Sequence, residues 1–166
     1  PPANSIPMNL THLHLILNHI PVVGSLCALG LLAFALWRHS EDVKRAALGV
    51  LVVSALVAIP AYLTGEPAEG GVKGLPGVSQ PLIKQHEEAA GVALGGVLGV
   101  GTVALAGLVW FRGKRLMPAW FGVLTLTGTL AVSGLMAWTA SLGGQVHHPE
   151  IRAGIFAHGE SEQRHD

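Results

Sequence analysis

The residues able to do chemistry are histidines, and their spacing is uneven. His12, His14 and His19 sit at the entrance of a long apolar stretch, His86 opens another, and His147 and His148 follow a third. A buried imidazole at a membrane boundary is costly unless it finds a partner, so such histidines are candidate ligands. Carboxylates fall in the same regions: Glu66 and Glu69 after the second apolar stretch, Glu87 and Glu88 beside His86. Imidazole with carboxylate suits zinc, iron or copper; two imidazoles suit a b-type haem. The pattern His86-Glu87-Glu88-Ala89-Ala90 is not a zincin motif, because no second histidine stands four residues on. The single cysteine, Cys27, excludes an intrachain disulfide, a c-type haem attachment motif and a thiolate zinc site.

The elements that must carry these residues are membrane spans. Half of the 166 residues are hydrophobic and 12% are charged. Four runs, 13–37, 46–63, 89–111 and 116–142, contain no Asp, Glu, Lys or Arg. A spanning helix needs about 20 such residues. The expectation is an all-α membrane protein of one domain, an up-down bundle of four transmembrane helices at about 13–37, 46–64, 86–111 and 116–142. Residues 65–85 then form a loop, broken by glycine and proline, and 143–166 a polar tail. Gly143 and Gly144 are expected to end the fourth helix. The residues before the first run lack the basic region of a secretory leader, and the run is too long for one, so it is expected to span. A net charge of zero offers nothing to nucleic acid.

Cations orient the bundle. Arg38, Lys44, Arg45, Arg112, Lys114 and Arg115 crowd two very short turns, whereas Lys73, Lys84, Arg152 and Arg164 are spread over long segments. The positive-inside rule places the short turns in the cytoplasm and both termini outside. Trp37, Trp110, Phe111, Trp120 and Phe121 would form an inner aromatic belt, with Tyr62 and Trp138 on the outer side. Eight of nine histidines and eight of ten acidic residues then lie outside. The outer face holds the ligand chemistry and the inner face is an anchor.

In an up-down bundle the first and third helices are diagonal. His19, inside the first apolar run, and His86, at the start of the third, are the expected axial ligands of a haem near the outer face. Gly91 and Gly95 would leave room for the ring, and Pro21 would open the backbone below His19. Gly91, Gly95 and Gly99 taken alone equally describe close helix packing. Solvation alone would account for His12 and His14, and His14 could bond to Asn18 one turn away. A non-haem copper, zinc or iron site would draw on His19, His86, His12, His14, His147, Glu66 and Glu87; the carboxylates read equally as a solvated loop. Thr125, Thr129 and Ser133 form a stripe assigned to packing. A structural subunit with a glycine seam is a third reading. The two halves also echo each other: the first and third helices enter behind a histidine and end at a basic turn, as two related hairpins would.

His19-Ile-Pro21, Thr64-Gly65, His86 and the Gly-Gly-x-Val-x-His pattern from Gly143 to His148 resemble an uncharacterised family of predicted four-helix bacterial inner-membrane proteins. Some members are fused to Rieske-type iron–sulfur domains. The resemblance covers about residues 10–150 and implies a redox neighbourhood. The expected function is a membrane electron-transfer protein, itself no enzyme, in the lipid bilayer. Its partners would be a quinone or a periplasmic electron carrier and other membrane redox subunits.

Overall fold

The computed structural model describes residues 10–65, 79–113 and 116–147. They form four helices: α1 (Leu10–Arg38), α2 (Glu41–Leu63), α3 (Gln80–Trp110) and α4 (Ala119–His147). Helix α1 packs on α2, α2 on α3, α3 on α4 and α4 back on α1, so α1 and α3 occupy opposite corners of a ring. Each helix is long and apolar enough to cross a membrane, which suggests an embedded protein.

The outward and inward faces differ in size more than in polarity. Leu15, Ile16, Ile20, Val23, Leu26, Val53, Leu56, Val92, Leu105 and Leu130 point away from the bundle. The interior uses smaller side chains. One core cluster joins Ala28, Leu32, Leu48, Leu51, Ala104, Met117 and Phe121, and a second joins Ala55, Ala58, Ala93, Val97, Val132 and Met136. Lipid tails offer no hydrophobic reason to bury a leucine, so close backbone approach and dispersion select small residues inside. Gly24 receives Ser54, Gly101 receives Ala55, Gly107 receives the Phe121 ring and Gly122 receives Leu36.

The helices extend beyond the charge-free runs. Ser40 caps α2, its hydroxyl accepting from Val43 N–H, so the charged segment 41–45 is helical. Lys44 is buried and pairs with Glu41 at 2.6 Å, while the other Glu41 oxygen accepts from Met117 N–H at 2.9 Å. Arg45 donates to the carbonyls of Phe111 (2.7 Å) and Gly113 (3.1 Å), satisfying acceptors left free where α3 ends. The start of α2 is thereby tied to the α3–α4 turn. Pro81 in the first turn lets α3 begin at Gln80, which places His86 in its second turn.

Two local expectations are corrected. Gly143 and Gly144 do not end α4, which continues to His147; glycine permits a stop without forcing one, and neither has a positive φ. Phe121 does not belong to an interfacial belt. It is buried against Phe111, with ring centroids 5.3 Å apart, while Trp37, Trp110 and Trp120 are exposed. In the α4 stripe, Thr125 and Thr129 donate to carbonyls one turn back, at 2.8 and 2.7 Å.

Candidate functional site

The inward stripe of α1 runs His14, Asn18, Pro21, Ser25, Ala28, Leu32 and Ala35, at steps of three and four residues. That stripe, together with the spacing on α3, decides which histidines turn inward. His14 is half-buried, and its Nδ1 lies 2.9 Å from the Ala61 carbonyl and 3.2 Å from Thr64 Oγ1, both at the end of α2. His86 is half-buried on α3, and its Nδ1 lies 2.9 Å from the Thr139 carbonyl on α4. The two rings come from opposite corners of the bundle.

A backbone carbonyl only accepts. Each Nδ1 facing one therefore carries a proton, which leaves Nε2 as the lone-pair position of the neutral ring. This is how metal-bound histidines are commonly held: a carbonyl fixes the ring and raises the basicity of the other nitrogen. Thr64 supports its side of the pair, its hydroxyl lying 2.9 Å from the carbonyls of both Pro60 and Ala61. A glycine lies against each ring, closely only at His86. A Cβ at Gly65 would lie 3.5 Å from His14 Cε1, and one at Gly143 would lie 3.0 Å from His86 Cε1. The Gly143 contact is the physical reason for a glycine inside α4.

The other expected site residues are placed differently. His19 is exposed among outward-facing residues and its Nδ1 bonds back to the Leu15 carbonyl at 2.6 Å, so it does not face His86. His12 is exposed. Gly91 is half-buried beneath the Tyr62 hydroxyl, 3.7 Å from an ideal Cβ, whereas Gly95 is exposed with nothing within 4 Å. Glu87 and Glu88 are exposed; Glu88 lies 3.9 Å from Lys84, with both side chains well solvated, an arrangement of negligible stability. Glu66, Glu69, His148 and the side chain of His147 lie outside the described residues. Among the described residues no group of three or more His, Cys, Asp or Glu could hold a metal ion.

His14, expected either as a metal ligand or as a solvated side chain, turns inward while His19 points outward. The signal was present: His14 shares its face with Asn18, Ser25 and Ala28, the small and polar residues of a membrane interior, whereas His19 lies among Leu15, Ile16, Ile20 and Val23. No family model matches the chain, and neither a curated protein nor a solved structure matches it.

Proposed function

We propose that this chain is a membrane electron-transfer protein that holds a b-type haem between His14 of α1 and His86 of α3. One observation carries the reading: two imidazoles from diagonal helices, each with Nδ1 bonded to a carbonyl of the next helix in the chain. Both Nε2 atoms are then lone-pair donors, which suits an electrophilic metal centre approached from two sides. The residues present fit such a group in donor set, two imidazoles, and Ala58, Ala61, Ala89 and Ala93 are buried at this end beside the larger Ile83, Met136, Leu142 and Val146. A haem held there by His14 and His86 would supply a one-electron couple.

The protein side of the function follows from the same residues. Ala61 and Thr139 orient the rings through their carbonyls, and Thr64 adds a hydroxyl on one side. The bundle is read as up-down, in a bacterial inner membrane, with both termini and the histidine pair on the periplasmic side and the basic turns in the cytoplasm. A quinone or a periplasmic electron carrier would exchange electrons with this end, alone or within a larger redox complex. The resemblance to four-helix proteins fused to Rieske-type domains supports the same setting.

The test is a titration of iron protoporphyrin IX into the purified protein in detergent, followed by absorbance. The expected result is saturation near one equivalent with a low-spin, six-coordinate spectrum in both redox states. Binding that does not saturate, or a purely high-spin spectrum, overturns the proposal.

A further inference from the structure

On the outward face of α1 an imidazole stands among leucine, isoleucine and valine. His19 is exposed on the side of α1 away from the inward stripe. Its neighbours one turn up and down are Leu15, Ile16 and Val23, all exposed. The charge-free run 13–37 has 25 residues. That is about 37 Å of helix against a hydrocarbon core of about 30 Å. Centred in that core, the run overhangs by about 4 Å at each end, and His19, about 9 Å from its start, lies about 5 Å inside. An imidazole facing lipid at that depth is costly unless its free nitrogen finds a partner.

The local geometry fixes what that partner must offer. His19 Nδ1 bonds to the Leu15 carbonyl at 2.6 Å. A carbonyl only accepts, so Nδ1 carries a proton and Nε2 is the lone-pair position of the neutral ring. Nε2 has no hydrogen-bond partner among the described residues. The missing partner is therefore a hydrogen-bond donor that travels in the bilayer. It is uncharged, because no Asp, Glu, Lys or Arg lies anywhere in the run to meet a charge. Deeper on the same face Val23 and Leu26 are exposed, a surface for an isoprenoid tail.

We propose that His19 docks the reduced headgroup of a membrane quinol on the lipid-facing side of α1, one quinol hydroxyl donating to Nε2. The electron-transfer reading above is the premise for the quinol's role. A quinone offers only carbonyl acceptors at the same position, where lone pair meets lone pair. The site therefore prefers the reduced form, which makes it a point of electron entry. His14 lies five residues back on the inward face, so α1 alone, about 10 Å thick, stands between the quinol and the histidine end of the bundle.

The test reads binding in the purified chain without haem. A benzoquinol with one isoprenoid unit, and then the matching quinone, is titrated anaerobically into histidine-labelled protein in detergent. The 15N signals are recorded, the His19 signals being those absent from His19→Phe. The His19 Nε2 signal is expected to move saturably with the quinol and several-fold less with the quinone. In equilibrium dialysis against empty micelles, His19→Phe should weaken quinol binding roughly three- to tenfold, the worth of one hydrogen bond. His19→Gln, which keeps an acceptor, should recover most of it. An unmoved Nε2 signal, equal affinity for quinol and quinone, or a His19→Phe protein that binds like wild type overturns the docking site. So does a dimer of wild type that His19→Phe dissolves, which assigns this face to a second copy of the chain. The haem reading is judged separately, by loading the same proteins with iron protoporphyrin IX. Low-spin loading without quinol binding overturns the docking site alone; quinol binding that depends on His19 without haem uptake upholds it and overturns the haem reading.

Discussion

Replacing His14, His86 and His19 one at a time with Ala separates the geometry of the site from any general sensitivity of histidines near the membrane surface. His14 and His86 each make one bond to a different helix, at 2.9 Å. An interhelical hydrogen bond within a membrane bundle contributes about 0.6–2 kcal/mol. His14→Ala and His86→Ala should each destabilise the protein without haem by about 1–2 kcal/mol, a shift of roughly tenfold in the unfolding equilibrium at 1.4 kcal/mol. His19 bonds only within α1, to the Leu15 carbonyl, and is exposed. Its replacement should stay within about 0.5 kcal/mol of wild type, as surface changes usually do. Stability is read from unfolding in detergent mixtures of increasing sodium dodecyl sulfate fraction. On loading with iron protoporphyrin IX, the His14 and His86 variants should lose the low-spin spectrum or convert it to high-spin, and the His19 variant should keep it. A His19→Ala protein that loses the low-spin spectrum while His14→Ala retains it refutes the pairing of His14 with His86.

Two further outcomes test the frame around the site. Gly107→Leu should destabilise by about 1–3 kcal/mol, because a side chain there meets the Phe121 ring. Gly95→Leu should change unfolding little, since nothing lies within 4 Å of its Cβ position. Equal effects in thermal unfolding would show that the helix faces are misassigned. For orientation, a cysteine introduced at Arg112 on a Cys27→Ala background should resist an impermeant thiol reagent in intact cells and react once the membrane is opened. Labelling of intact cells would place the basic turns, and with them the ends of the bundle, on the opposite sides.

The chain's one-dimensional pattern was enough for the helices. Four charge-free runs and two short basic turns locate four apolar helices because the cost of a charge in hydrocarbon does not depend on the fold. Helix ends were less legible. The segment 41–45 is charged yet helical, because Lys44, Glu41 and Arg45 find partners on their own helix and on the α3–α4 turn. A local scan cannot see a partner at Met117 or Phe111. The glycine pair at 143–144 reads as a stop until the His86 ring is found against it. That the first and third helices each bring a histidine to one end was also legible, and the doubled pattern hinted at two hairpins. Which histidine of α1 turns into the bundle was decided by helix rotation. Five residues separate His14 from His19, about 140° past a full turn at 3.6 residues per turn, so one faces the bundle when the other faces away. Tertiary packing fixes that rotation: Gly24 must receive Ser54 and Ala28 must reach the core, and this turns His14 inward to the Ala61 carbonyl.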